Sequence, residues 1–309
     1  MVFDRFAPQA ESEQTSDPIA SQSDTTNLPP SENKFPSPLV SISSPDSGVL
    51  PSSLERGGPG RELLLQAKQN LQQIKPFRAH LTQTIRIGKQ PILAKGDYIE
   101  GLAHQLRMEL DVTTPNTQGR LLNVCDGSIL WTELVQHTPE LAPEGKTKIT
   151  RRDLGSILQM AQTSNQVENA RYISDLAVGG LTALFASLDK QMVFSDPVEF
   201  MQQNVRLWKL EGTWSQEFLD QHHVASLKKL PRHVPAYVEV YLDFRTLFPH
   251  RILFTREQEN GEQLKLITFD FADVQFQAEL SEALFEYGKT DESYDDVTNQ
   301  YERKLHERN

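Results

Sequence analysis

The sequence predicts an α+β fold in which helices cover one face of an antiparallel β-sheet. Three observations predict it. From Phe77 to Trp131, strand patterns follow one another with no room for crossover helices. A helical section comes next, from about Thr150 to Glu199. Strand patterns then return between Val205 and Ala278. Separate runs of strands and helices mark an α+β layout with an antiparallel sheet. Such a sheet has one apolar face that needs a cover, and the nature of that cover largely decides the function.

The elements follow in order. Leu63, Leu64, Ala67, Leu71 and Ile74 fall at helical spacing, and Pro76 ends the run. Phe77, Ala79, Leu81, Ile85 and Ile87 then alternate with Arg78, His80, Thr82, Thr84 and Arg86. This period of two gives a strand with one apolar face, on which Gln83 is the polar exception. Residues 92–100 give a second strand. In a third, Leu106, Met108, Leu110 and Val112 alternate with Gln105, Arg107, Glu109 and Asp111. Leu121 to Cys125 and Ile129 to Val135 pair across Asp126-Gly127, a strong hairpin signal.

Thr150-Arg151-Arg152-Asp153 resembles a capping box, with Leu154, Ile157, Leu158 and Ala161 as the stripe behind it. Leu181, Leu184, Phe185 and Leu188 form another stripe after Gly179-Gly180. Asp196-Pro197-Val198-Glu199 has an N-cap, a proline and an acid in order, which predicts a further helix. Val205 to Trp214, Val238 to Phe244, Arg251 to Thr255 and Leu264 to Phe271 are the returning strands, and Val274, Phe276 and Ala278 suggest a last one. No internal repeat of fixed period is present.

Composition divides the chain. Residues 1–60 hold half of the 18 prolines, are rich in serine and have few large apolar residues. Such a segment cannot offset its ordering entropy by burial and reads as disordered. Residues 61–300 form the folded domain and 301–309 a charged tail. With 42 acids, 31 bases and a net charge of -11, the chain has no basic patch for phosphate contacts, which argues against nucleic-acid binding. No apolar run is long enough to span a bilayer. The first residues, Met1 to Phe6, lack the apolar core of a secretory signal. Cys125 is the only cysteine, so it forms no intramolecular disulfide, and it reads as a buried structural thiol.

Catalytic constellations are sparse. Gly57-Gly58-Pro59-Gly60 has no strand before it, and no nucleophile elbow occurs. His222, His223, His233 and His250 lack recognised metal-ligand spacing and read as ordinary loop or surface residues. Arg151-Arg152 admits a small anion site or simply an exposed turn. Gln83 needs a hydrogen-bond partner on its apolar face, from a neighbouring backbone or from a ligand.

The residues also resemble a family. A helix precedes a strand ending in Leu81-Thr82-Gln83, and Gly96 lies in the next strand. Leu106-Arg107-Met108 and Asp126-Gly127-x-x-Leu130-Trp131 follow. Pro249-His250-Arg251-Ile252, Phe285-Glu286-Tyr287 and Asp296-Val297-Thr298 are looser matches. This is similar to the outer-membrane lipoprotein carrier (LolA-like) superfamily. The resemblance implies a strongly curved antiparallel sheet, an unclosed half-barrel, with helices covering its concave face. It also implies a non-enzymatic carrier in the periplasm or cell envelope that holds lipid or lipoprotein acyl chains without a cofactor.

The expected apolar, lipid-binding face then comprises Phe77, Leu81, Ile85, Leu106, Met108, Leu110, Trp131, Val240 and Leu242. Gln83, Arg107, Leu181 and Phe185 are the expected lid or gating positions, Arg107 by resemblance, although alternation sets it on the polar face. The rival reading is an envelope interaction or stress-sensing module with the same fold, a filled core and a protein partner. An enzyme is the third reading, which a tight buried cluster of titratable groups would support. An apolar cavity of roughly 300 Å³ or more would favour the carrier, and a packed layer the module.

Overall fold

The structure, a computed structural model, describes residues 57–88, 90–138, 142–202, 204–289 and 292–306. The expected disordered segment 1–60, but for its last four residues, lies outside the described residues, as do 307–309 of the expected tail.

Helix α1 (Pro59–Gln73) buries Leu64, Ala67 and Leu71 along one stripe. Strands β1 (Phe77–Ile87), β2 (Gln90–Glu100), β3 (Gln105–Thr113), β4 (Gln118–Asp126), β5 (Ile129–Thr138) and β6 (Ala142–Asp153) follow as an antiparallel meander. Three helices come next, α2 (Leu154–Gln162), α3 (Val167–Val178) and α4 (Gly180–Gln191). Then come β7 (Met192–Phe194), β8 (Val198–Gln202), β9 (Val205–Trp214), the short α5 (Gln216–Gln221), β10 (Tyr237–Asp243), β11 (Pro249–Glu257) and β12 (Gln263–Phe276). A 3-10 turn (Glu282–Phe285), β13 (Asp295–Asp296) and α6 (Thr298–His306) complete the described chain.

All these strands form one unclosed sheet in the order β13-β6-β5-β4-β3-β2-β1-β12-β11-β10-β9-β7, with β8 paired to β9. Among the described residues only the β13–β6 pair is parallel. The α+β class is as expected: a curved, unclosed sheet with helices over its concave face. Strand β1 is the joint, bonded to β2 on one side and β12 on the other, so the returning strands extend the first meander. Around this joint the rings of Phe77 and Phe248, and of Tyr98 and Phe271, meet edge to face at 5.2 and 5.6 Å.

The register fixes which side chains share the concave face. Glu100 lies opposite Phe77 and Leu106, and Leu106 opposite Cys125, which faces Leu130. Toward the other edge Gln83 faces Phe269, then Ile252, Val240 and Leu210. Side chains alternate between the faces of a strand. Arg107, Val124 and Trp131 therefore share the convex face.

Three elements differ from expectation. Residues 142–153 are an edge strand, β6, rather than an approach to a helix. Its concave-facing residues include Lys148, Thr150 and Arg152, so it carries almost no apolar period; charged edge strands commonly lack one. Its last residue, Asp153, does cap α2, accepting from Ser156 N at 3.0 Å. Val198–Gln202 is a strand, not the helix that Asp196-Pro197 suggested. Pairing with β9 overrides the cap signal, and proline is equally at home just before an edge strand. The chain from 298 to 306 is helical, with Leu305 buried, where the sequence suggested a charged tail from residue 301.

Candidate functional site

The helical cover closes over the sheet at the Phe77, Glu100, Leu106 and Leu130 end. The hairpin between β4 and β5 begins this closure. Asp126 Oδ1 accepts from Ser128 N and Ile129 N at 2.7 and 2.8 Å, which fixes a tight turn at Gly127-Ser128. The Ser128 carbonyl then accepts Leu154 N at 2.7 Å, so the turn receives the first N–H of α2. From the cover, Leu181, Phe185 and Leu188 point inward and are buried, as are Ile157, Ile173 and Ala177. Phe77, Leu81, Leu106, Leu110, Val240 and Leu242 are buried on the sheet side. Met108 and Ile85 share that face but are half-buried.

A polar network crosses this apolar layer. The Lys75 ammonium and the Glu100 carboxylate pair at 2.9 Å with side chains only 4% and 5% exposed. The Tyr98 hydroxyl donates to Glu100 Oε1 and accepts Leu181 N at 2.7 Å. Helix α4 has no side-chain cap of its own, so Tyr98, reaching up from β2, satisfies one of its orphan N–H groups. Burial first, and the Glu100 charge second, push the Tyr98 phenol well above its ordinary range, so it stays a neutral donor. Gly180 is required here: its φ is +59°, and a Cβ would come within 2.5 Å of the Tyr98 hydroxyl. His104 sits nearby with Nδ1 buried and without a hydrogen-bond partner. Burial, then the Lys75 cation, lower its pKa and keep it neutral.

Other contacts fasten the rest of the cover. Arg61 pairs with Asp189 at 2.6 Å and Lys68 pairs with Asp175, which ties α1 to α4 and α3. Arg152, 5% exposed, donates from Nη1 to the Ala177 and Leu176 carbonyls at 2.7 and 3.3 Å. A guanidinium is well suited to the negative end of α3. Its neighbour Arg151 is bound to Asp296 and Asp153 at 2.7 and 3.1 Å. Both arginines thus have partners within the protein, which answers the question of an anion site.

Two expected site residues lie elsewhere. Trp131 is on the convex face, because the Gly127-Ser128 turn sets Leu130, not Trp131, opposite Cys125. Arg107 is also convex, as its alternation indicated. It donates to Glu109 at 2.6 Å and to the Leu284 carbonyl at 3.1 Å, so it holds the C-terminal segment rather than the helical cover. Gln83 is half-buried on the concave face between Ala94 and Phe269. Burial raises the Cys125 thiol to about 11, in keeping with a structural thiol.

Tyr98, Glu100 and Lys75 were missed by sequence reasoning. The signal was available: Tyr98 and Glu100 alternate on the face shared with Phe77, so a carboxylate had to be buried. A buried set of this kind is also what acid–base chemistry uses. Here it is enclosed beneath α4. Two recesses of about 200 and 230 Å³ lie elsewhere: one among α3, the end of α4, α5 and α6, the other on the convex side of β1 and β2. Among the described residues no three His, Cys, Asp or Glu side chains gather to hold a metal, and no helix is long and apolar enough to cross a membrane.

No protein-family model and no curated protein matches the chain. Solved structures do. A chain of the Pseudomonas aeruginosa MucA/MucB complex matches 75% of this chain at 14% identity and a TM-score of 0.37, and this chain spans 62% of its length. LprF from Mycobacterium bovis matches 72% of this chain and 94% of its own, at 11% identity and a TM-score of 0.36. A putative outer membrane lipoprotein-sorting protein domain from Vibrio parahaemolyticus matches 74% and 96%, at 11% identity and 0.28. The likeness is one of fold, and a distant one.

Proposed function

We propose that the protein is a non-enzymatic carrier that takes an acyl chain of a lipid or lipoprotein between sheet and cover, in the cell envelope, when the cover lifts. One observation carries the reading. An extended apolar sheet face is closed by helices through a small number of polar contacts: Lys75, Glu100 and Tyr98 with the Leu181 N–H beneath α4, and the Arg61–Asp189 and Lys68–Asp175 pairs beside them. Paired buried charges add little net stability compared with apolar packing, so their presence fits a joint that must open and close again in one register. The energetics are compatible. A buried methylene contributes about 0.8 kcal/mol, so a sixteen-carbon chain contributes on the order of 10 kcal/mol before the cost of opening. A cover held by a few hydrogen bonds, each worth about 1 kcal/mol net, offsets part of that and permits release.

A specific observation favours a second reading. The side chains that face one another between sheet and cover, among them Leu106, Leu181 and Phe185, are buried, and the two recesses described above lie outside that layer. A permanently filled core is what a protein-interaction module with this architecture needs. One experiment separates the two. Protein purified from membranes is analysed for bound lipid by mass spectrometry and titrated with a fluorescent fatty acid. The carrier binds one chain saturably, and Leu106→Asp or Leu181→Asp abolishes uptake. Absence of both lipid and probe binding, with one stoichiometric protein recovered in a pull-down, supports the module instead.

A further inference from the structure

The cover is fastened a second time, from outside. Beyond β12 the described residues, 277–289 and 292–306, run as a belt over the convex face, round the β6 edge and onto the cover. On the convex face it covers Leu122, Val124, Trp131 and Ile149, a buried cluster separate from the main core. Tyr287 stacks on Trp131 with ring centroids 4.9 Å apart and planes 19° from parallel, and Tyr294 meets the same indole edge-on at 5.0 Å. The Tyr287 hydroxyl and the Lys289 ammonium each donate to Glu133 at 2.8 Å. That carboxylate is only 2% exposed.

At the sheet edge β13 adds to β6 in parallel, and Arg151 holds Asp296 at 2.7 Å. Asp153 N donates to Thr298 Oγ1 at 2.9 Å. Past the edge, α6 packs on α2 and α3. The Ser156 hydroxyl donates to Glu302 at 2.7 Å, and Asn169 Nδ2 donates to the Lys304 carbonyl at 3.1 Å. The Tyr301 ring lies 4.1 Å from the Arg152 guanidinium, the group that binds the end of α3.

Each piece of the belt is too small to hold alone. A nine-residue helix is marginal in water, and a two-residue strand adds little. Joined in sequence, they hold because each anchor keeps the next at high local concentration. We propose that the belt is a clamp on the cover, its convex anchor at Glu133 and Trp131 acting in series with α6 on α2 and α3. Release of the convex anchor then frees the cover on the opposite face. This rests on the reading above only in taking the cover as the part that moves.

The test is hydrogen exchange on the full chain with two variants. Glu133→Gln weakens the convex anchor and touches no cover residue. Leu305→Asp detaches α6 and leaves the Trp131–Tyr287 stack in place. Both are expected to speed exchange in α2 and α3 at least tenfold while β9–β12 keep their protection. Unchanged exchange in α2 and α3 in either variant overturns the clamp, and so does an equal loss across all elements, which would mark the belt as a general stabiliser. Probe binding is read separately. Cover loosening without uptake of fatty acid retains the clamp and removes the carrier; uptake by the parent chain with an unaffected cover in Glu133→Gln removes the clamp alone.

Discussion

Tyr98→Phe removes one oxygen from the joint and nothing else. The ring keeps its edge-on contact with Phe271 at 5.6 Å and its place beside Phe77. The lost hydroxyl leaves the buried Leu181 N–H without its acceptor, and Glu100 with one donor fewer. A buried unsatisfied donor costs about 1–3 kcal/mol, and a bond to a charged group about 1.5–3 kcal/mol, with partial relaxation of both. A total of about 2–4 kcal/mol falls on the closed cover. If α4 opens locally, its amides should exchange about 30- to 900-fold faster, while the β10–β12 amides keep the rate set by global unfolding. Hydrogen exchange with peptide-resolved mass spectrometry reads both in one experiment. Unchanged α4 protection would refute the argument, because the hydroxyl would then not be fastening the cover. A parallel loss in β10–β12 would refute it too, by showing that cover and sheet open only together.

Three further outcomes are expected. Burial acts to raise the Glu133 pKa, but the bonds from Lys289 and Tyr287 outweigh it and leave the net value below the ordinary one. A lowered folded-state pKa means that the anchor's contribution is complete above the unfolded value and fades as pH falls through the folded one. The Trp131 emission should therefore hold through neutral pH and change below the ordinary carboxylate range, and Glu133→Gln should remove that transition. Phe185→Ala, at a fully buried position in α4, should cost about 3–5 kcal/mol in urea unfolding; a loss under 1 kcal/mol would mean that the layer is loosely packed. Cys125 should resist a thiol reagent at pH 8 until the protein unfolds, since its thiol is buried and titrates near 11.

Much of the fold was legible because burial there is one-sided. In β1 and β3 a clean period of two separates Leu81 or Leu106 from Thr82 or Arg107, and the sheet keeps those faces apart. β4 and β5 broke the rule because both their faces are covered, one by helices and one by the belt. Their apolar runs carry no face information, so Trp131 was assigned to the wrong side. β6 failed for the opposite reason: its only buried apolar residue in the described part is Ile149, and its alternation is among polar residues. The fastening residues were hidden because long-range pairing decides them. Tyr98 meets Leu181 across 83 positions, and Glu133 meets Lys289 across 156. Nothing local marks such pairs, although a glutamate on an apolar alternation, as at Glu100, is a cue that a buried partner exists.

The most direct measurement is photo-crosslinking with a fatty acid that carries a photoreactive group on its chain, followed by peptide mapping. If an acyl chain enters between sheet and cover, saturable adducts should fall on β2, β3 and α4, around Leu106, Met108 and Leu181, and excess unlabelled fatty acid should suppress them. Adducts confined to the convex face or the exposed β8 strand, or adducts that excess fatty acid leaves unchanged, would contradict the carrier.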